Sequence, residues 1–368
     1  MQEDINYKYD FIVAIGRFSC PHLGHIRNFK HALEVSNQLI ILIGSANAPR
    51  TIKNPFTTNE RIEMISACFS EDELKRVKFN CVEDRLYQNS EWFVNAQNAI
   101  LSVVRDYFPR DVNDAKIAII GHDKDETTWY LQGFPWDVID LGPYVKNLNT
   151  DNPVCATKIR ELMFTNHLNY TESQLHPTTF KWLIDFSKTK AFKELQKEYL
   201  DDAEYIGHAH KQMIAGVYPT NFLTCDNVVI QSGHILLIQR KNSPGKNLWA
   251  IPGGFVNGSE SCLDAAIREL KEETKIKVPK KILLRNLVSE KFFDHPNRSM
   301  RGRVKGKNCR TATMAFCFKL HDDEELARIA GSDDALKAKW VPIGELPNMR
   351  DKMFEDHHDI ITYFISRL

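Results

Sequence analysis

Two clusters of residues in this chain have the types and spacing that phosphate chemistry requires. The first is GRFSCPHLGH (Gly16–His25), in which His22 and His25 flank Gly24. It follows an apolar run, DFIVAIG (Asp10–Gly16), and precedes a helical pattern. Gly16 lets the backbone turn tightly where the run ends, and Gly24 removes a Cβ where a ligand approaches the backbone. A helix N-terminus offers free N–H groups and the positive end of a dipole, suited to phosphate. Two imidazoles beside it can donate hydrogen bonds to phosphoryl oxygens. Far downstream, in CATKIRE (Cys155–Glu161), Thr157 can cap a second helix, with Lys158 and Arg160 in its first turn. Arginine is the side chain best shaped to grip phosphate bidentately.

The second cluster is GFVNGSESCLDAAIRELKEETKI (Gly254–Ile276). Ser261 can cap the helix and Asp264 can complete a capping box. At about 100° per residue, Leu263, Ala266, Ile267 and Leu270 form one apolar stripe. Glu269, Glu272 and Glu273 gather on the opposite side. Three carboxylates on one arc repel each other unless something neutralises them. A hard divalent cation that prefers oxygen, Mg²⁺ or Mn²⁺, is the natural partner.

These residues need a scaffold. Asp10–Gly16, Gln38–Gly44 and Lys116–Gly121 are short apolar runs ending in Gly, and Val77–Val82 and Val138–Leu141 are weaker ones. Helical patterns such as Asn59–Phe69 and Glu91–Tyr107 separate them. That alternation predicts βαβ units: an α/β, doubly wound, Rossmann-like parallel sheet covered on both faces. Ligands on such sheets bind beyond the carboxyl ends of the strands. Phe180–Ala203 has no Gly or Pro and reads as a closing helix plus a connector. Beyond Tyr218 the chain is strand-rich around one strong helix at Ser261–Lys275, an α+β layout. The predicted domains are residues 1–188 and 204–368, joined by a helical connector at 189–203.

Bulk properties agree. A chain of 368 residues exceeds one ordinary core. Lys+Arg and Asp+Glu are both 48, so no net field points to nucleic acid or an anionic membrane. Small anionic nucleotides, held by local basic clusters, are the expected partners. No apolar run approaches the ~20 residues of a membrane span. The eight cysteines form no C-x-x-C pair and read as buried, reduced thiols, which favours a cytoplasmic location.

The first cluster, with Thr157 and Arg160, resembles the nucleotidyltransferase superfamily with the H-x-G-H signature. NPFTTNERIEMI (Asn54–Ile65), EDRLYQNSEW (Glu83–Trp92) and IIGHDKD (Ile119–Asp125) resemble its nicotinamide-mononucleotide adenylyltransferase branch. The resemblance implies ATP as substrate, Mg²⁺, and the joining of the mononucleotide to ATP with loss of pyrophosphate. It implies that His22 and His25 contact the ATP phosphates, with Gly16, Arg17, Phe18 and Gly24 around them. Thr157, Lys158 and Arg160 would hold the triphosphate, and Trp92 would stack on the nicotinamide. Arg61 is either a phosphate ligand or a solvated helix charge. Two positions depart from the pattern: Cys155 replaces a usual Ser, and Ser19-Cys20-Pro21 replaces Gln-Pro-Phe.

The second cluster resembles the Nudix box, and the C-terminal fold it implies is the Nudix fold. The resemblance makes Glu269, Glu272, Glu273 and the Gly253 carbonyl the metal ligands, with Arg268 orienting the carboxylates. Lys275 stands where the box has a Gly that ends the helix in a left-handed turn. FFDHPNRSMRGR (Phe292–Arg303) resembles a segment of Nudix domains that act on ADP-ribose. Arg298, Arg301 and Arg303 are candidates for the diphosphate, and Asp333 or Asp334 for the hydrolytic base. His357 and His358 are expected at the surface. Together the two resemblances match the bifunctional adenylyltransferase/ADP-ribose pyrophosphatase type. A sensing rather than cutting Nudix domain, and nicotinate mononucleotide or another acceptor for the first domain, are the alternatives.

Overall fold

In the computed structural model the early apolar runs become one parallel sheet. The structure describes residues 7–368 apart from 86, 88, 123–125, 145–153, 213–220, 296–297, 299–309, 323–324 and 333. The sheet's strands are β1 (Tyr9–Gly16), β2 (Ser36–Ile43), β3 (Val77–Cys81), β4 (Ile117–Ile120) and β5 (Asp137–Ile139). Their order is β3-β2-β1-β4-β5, and every pair is parallel. The connecting helices are α1 (Leu23–Val35), α2 (Thr58–Ser66), α3 (Glu71–Lys75) and α4 (Asn89–Tyr107). Side chains of a strand alternate between faces. Ile12 and Ala14 therefore join Phe29 and Leu33 of α1 on one face. Phe11, Val13 and Ile15 join Ala96, Ile100 and Val104 of α4 on the other. With both faces covered, β1 and β2 need apolar residues at successive positions, which is why they read as runs.

Three helices follow: α5 (Ala156–Phe164), α6 (Pro177–Phe186) and α7 (Lys190–Gln212). The stretch Phe180–Ala203 thus falls in two helices, α6 and α7, with no Gly or Pro at the break. Hydroxyls break it instead: Ser187 Oγ donates to the Ile184 carbonyl and Thr189 Oγ1 to that of Phe186, each at 2.7 Å. Thr189 Oγ1 also accepts from the Phe192 N–H at 3.2 Å, starting α7 afresh. The first half of α7 buries an apolar stripe. Phe192, Leu195 and Tyr199 are buried, and Phe192 stacks on Phe164 at 5.7 Å.

The remainder builds a mixed sheet from β6 (Asn221–Gln231), β7 (His234–Arg240), β8 (Trp249–Ala250), β9 (Gly253–Phe255), β10 (Leu287–Phe293), β11 (Arg310–Lys319) and β12 (Ala335–Pro342). The path is β10-β11-β6-β7-β12, with β8 on β7 and β9 on β6. The β6–β11 pair is parallel and the others antiparallel. Its helices are α8 (Cys262–Thr274), α9 (Lys280–Arg285) and α10 (His357–Ile365). Ala265, Ala266, Ile267 and Leu270 of α8 pack on Cys225, Val229, Leu236, Phe316 and Phe318. Fully burying one such aliphatic or aromatic side chain contributes about 1.5–3 kcal/mol, so this stripe fixes where α8 presents its polar side. On the opposite face, Tyr363 and Phe364 of α10 meet Phe293 at 5.3 and 6.0 Å.

The chain divides into two compact units, residues 1–50 with 54–196 and residues 51–53 with 197–368. The cysteines depart in part from expectation. Cys20, Cys68, Cys225 and Cys317 are buried, but Cys81 and Cys155 are exposed, the one ending the edge strand β3 and the other preceding α5. Among the described residues no helix is long and apolar enough to cross a membrane.

Candidate active sites

In the first sheet, strand order reverses between β1 and β4, so the crevice beyond their carboxyl ends is where a ligand is expected. The H-x-G-H loop lies there. His22 caps α1, and its backbone N–H donates to His25 Nδ1 at 3.2 Å. The two rings stack with centroids 3.7 Å apart, and Phe18 meets His25 edge-on at 5.1 Å. Phe18 adopts a left-handed φ of 48°, and a Cβ on Gly16 would lie 2.9 Å from its ring, so Gly16 and Phe18 depend on each other. A Cβ on Gly24 would lie 3.1 Å from the His22 ring. Gly24 therefore makes room for the imidazole as well as for any ligand.

Arg160 brings the second segment to this loop. Carried by α5 and buried, it donates through Nη1 to the Ser19 carbonyl and through Nη2 to Thr157 Oγ1 at 3.1 Å. Burial, and then the charge of Arg17, push its pKa down to about 10. Two guanidinium groups brought together in this way favour an anion. Lys158 is exposed and pairs with Glu161 at 3.2 Å.

Arg61 is not a solvated charge. It is 1% exposed. Its Nη1 donates to the carbonyls of Arg17 (2.8 Å) and Gly44 (2.6 Å), its Nη2 to the Ser45 carbonyl (3.1 Å) and Thr58 Oγ1 (3.3 Å), and its Nε to the Thr57 carbonyl (3.3 Å). Its two Nη atoms thus hold the backbone beyond β1 and β2, and its Nε and Nη2 tie that backbone to the start of α2. Trp92, near the start of α4, sits among Phe93, Tyr130 and Phe134 at 5.4, 5.7 and 6.3 Å. Tyr130 anchors that cluster to β1 by donating to the Ile15 carbonyl at 3.0 Å. A pair the motif reading left without a role stands beyond β4 and β5: His122 Nδ1 lies 3.0 Å from Asp140 Oδ1. Its signal was the His within IIGHDKD.

In the second unit, α8 and β9 build the acidic site. Ser261 caps α8, accepting the Asp264 N–H at 3.1 Å. Lys275 ends it in the left-handed conformation, φ 48°, that the missing Gly would adopt freely. Arg268 is the hub. Its Nε and Nη2 fork onto Glu260 at 3.1 and 2.7 Å, and its Nη1 donates to Glu269 (2.7 Å) and Glu272 (3.0 Å). The fork holds the Glu260 carboxyl down to about 2. A Cβ on Gly254 would collide with the Glu269 carboxylate, which therefore rests against the β9 backbone. Glu273 is buried and accepts the Gly253 N–H at 2.9 Å. Burial raises its pKa to about 8, against the Gly253 hydrogen bond and with the help of Glu269.

Among the described residues no three His, Cys, Asp or Glu side chains already form a metal-holding group. Glu269 and Glu272 share Arg268, while Glu273 faces Gly253. The donors nonetheless fit a hard cation. They are carboxylates on one helical arc, and burial holds the innermost above the ordinary carboxylate pKa, a penalty that a bound cation offsets.

Other expectations change. Arg298 is 4% exposed and buried in ion pairs, with Asp226 at 3.0 Å and Asp356 at 2.9 Å, so it does not present itself to a diphosphate. Arg301, Arg303 and Asp333 lie outside the described residues. Asp334 is exposed and accepts from Asn242 Nδ2 at 2.9 Å. His357 and His358 are buried rather than at the surface. His357 Nδ1 accepts the Ile251 N–H at 3.1 Å, and His358 Nδ1 lies 2.9 Å from Arg350. A His pair opening a helix carries no sequence sign of which face it turns inward.

The two folds and their sites define a class: an H-x-G-H nucleotidyltransferase unit followed by a Nudix unit. Residues 13–162 match the cytidylyltransferase-like family model and residues 223–364 the NUDIX domain model. The chain is similar to a crystal structure of a bifunctional NMN adenylyltransferase/ADP ribose pyrophosphatase from Francisella tularensis, complexed with AMP and a Mn ion. That match has 33% identity and a TM-score of 0.83, covering 98% of this chain and 99% of the other. The nicotinamide/nicotinic acid mononucleotide adenylyltransferase of Acinetobacter baylyi is 31% identical over 52% of this chain and 95% of its own length. The ADP-ribose pyrophosphatase of Methanocaldococcus jannaschii is 34% identical over 38% of this chain and 70% of its own. The chain belongs to the family of bifunctional NMN adenylyltransferase/ADP-ribose pyrophosphatases.

Proposed function

We propose that the first unit transfers the adenylyl group of ATP to nicotinamide mononucleotide, giving NAD and pyrophosphate, and that the second hydrolyses ADP-ribose to AMP and ribose 5-phosphate. The observation that carries this reading is that each site is assembled within its own unit: Arg160 joins α5 to the H-x-G-H loop, and Arg268 gathers the carboxylates of α8.

In the first reaction a 5′-phosphate oxygen attacks the α-phosphorus, the bond to the β-phosphate oxygen breaks, and pyrophosphate leaves with the electron pair. The nucleophile is already anionic, so the site must position and stabilise charge rather than remove a proton. His22, His25, the N-terminus of α1, Arg17, Thr157, Lys158 and Arg160 hold the phosphates. Gly16, Phe18 and Gly24 shape the loop, and Arg61 fixes the backbone beneath it. Trp92 takes the nicotinamide ring. In the second site Glu269, Glu272, Glu273 and the Gly253 carbonyl hold the cation, and Asp334 is the candidate base. Mg²⁺ or Mn²⁺, when bound, supplies Lewis acidity, screens the diphosphate and activates water.

The proposed compartment is the cytoplasm, where exposed thiols such as Cys81 and Cys155 stay reduced. The partners are nucleotides. Chromatographic product analysis tests the reading. Nicotinamide mononucleotide with Mg-ATP should give NAD, ADP-ribose with Mn²⁺ should give AMP, and nicotinate mononucleotide should react more slowly. Absence of either product, or faster reaction of the nicotinate substrate, contradicts it.

A further inference from the structure

We propose that Asp226, Arg298, Asp356 and His357 form a buried brace that sets the Ile251–Gly254 backbone, and thereby the hydrolase site's affinity for its divalent cation. This rests on the reading that Glu269, Glu272 and Glu273 bind that cation. Arg298 then acts as a positioning residue.

The path is continuous. Asp226 on β6 pairs in antiparallel register with Gly253 on β9. A Cβ on Gly253 would collide with the Asp226 carboxylate and the Cys225 carbonyl, so the carboxylate rests against that glycine. Arg298 Nη2 donates to Asp226 Oδ2 at 3.0 Å, its Nη1 to Thr311 Oγ1 at 3.3 Å, and its Nε pairs with Asp356 Oδ2 at 2.9 Å. Asp356 precedes α10, and the next residue, His357, accepts the Ile251 N–H at 3.1 Å. Between the two grips, Asn227 holds the Pro252 carbonyl through its backbone N–H (2.8 Å) and Nδ2 (3.1 Å). The strand that begins at Gly253 is therefore fixed residue by residue from outside the carboxylate site. The N–H of that same Gly253 is the one Glu273 accepts.

The chemistry of the brace argues for position rather than packing. Its three charged side chains are 1–6% exposed. Buried ions of this kind are costly to desolvate, and apolar residues of similar volume often fill such a space at least as stably. What ions and forked hydrogen bonds add is a single geometry. Groups that orient metal-binding residues typically change metal affinity 10–100-fold when removed.

The test is direct titration of the full chain with Mn²⁺, followed by the paramagnetic resonance of free Mn²⁺, well below the melting temperature. The variant carries Asp226→Asn, Arg298→Met and Asp356→Asn together, which removes all three charges at nearly constant size. Its adenylyl transfer reports on the rest of the chain and should not change. Its Mn²⁺ affinity at the hydrolase site should fall about 10–100-fold, and hydrolysis should recover at saturating Mn²⁺. Arg298→Lys keeps the charge but cannot fork between two carboxylates; it should shift the affinity the same way and serves if the triple variant is insoluble. Glu273→Gln marks which bound Mn²⁺ belongs to the site. If Glu273→Gln leaves binding intact, the reading of the metal site itself fails. If it removes binding while a soluble brace variant binds like wild type, the brace proposal is overturned alone.

Discussion

At the scale of single residues, the reactive groups of each site are close neighbours along the chain. His22 and His25 lie within one turn at the start of α1, and Glu269, Glu272 and Glu273 within two turns of α8, so local periodicity gathers each set. Arg61 and Arg298 are placed by distant contacts instead. Both are basic residues within motif-like segments, but their roles depend on which distant backbone or carboxylate faces them. Arg61 meets three carbonyls beyond β1 and β2, and Arg298 meets aspartates from two other elements. A planar guanidinium serves several acceptors at once, and an ammonium cannot. Arg61→Lys should therefore destabilise the first unit by at least about 2 kcal/mol, because buried carbonyls lose charged donors. Calorimetry of the full chain should show a lowered transition for that unit. An unchanged transition would remove Arg61 from its bracing role.

At the scale of elements, long apolar runs and the amphipathic α8 were legible, because burial on both faces or on one stripe dictates composition. Short or exposed elements were not. β8 has 2 residues and β9 has 3, too few to show a period. β10 is mostly exposed at the sheet edge, so its sequence SEKFF carries little alternation. The substitution at the end of α8 was legible, and Lys275 takes the left-handed turn. Lys275→Gly should raise stability by about 0.5–1 kcal/mol and leave hydrolysis unchanged, as denaturant unfolding and a rate assay would show. No stabilisation would mean that Lys275 makes compensating contacts.

The start of α10 makes a pH prediction. Burial pushes the His357 pKa down to about 3, so it stays neutral and accepts the Ile251 N–H. The unfolded chain takes up this proton below an ordinary histidine pKa of about 6.5, while the folded chain refuses it. Its contribution is therefore complete above about pH 6.5 and declines as the pH falls toward 3, by up to about 1.4 kcal/mol per unit. His357→Asn, which keeps an acceptor but does not titrate, should flatten the acid limb of a stability–pH curve. An identical limb in the variant would contradict this.

For the whole molecule, we propose the division read from the sequence pattern: a first domain through residue 188, a helical connector at 189–203 and a second domain from 204. The burial of Phe192, Leu195 and Tyr199 moves the safe point of scission. A fragment ending at residue 190 would lose the Phe192–Phe164 stack. Fragments 1–203 and 204–368 should each fold and keep their own reaction within about tenfold, because each is long enough to bury a core. Activity regained only on mixing would mean that the sites are shared.

The central claim is that one chain carries two independent chemistries, and two variants of the intact protein test it most directly. His25→Ala and Glu273→Gln are each assayed for NAD synthesis with Mg-ATP and for ADP-ribose hydrolysis with Mn²⁺. His25→Ala should lower NAD synthesis at least ~100-fold, the usual scale for a lost transition-state charge contact, and leave hydrolysis at the wild-type rate. Glu273→Gln should do the reverse. Loss of both reactions in either folded variant, or retention of the reaction it is meant to remove, would contradict the account.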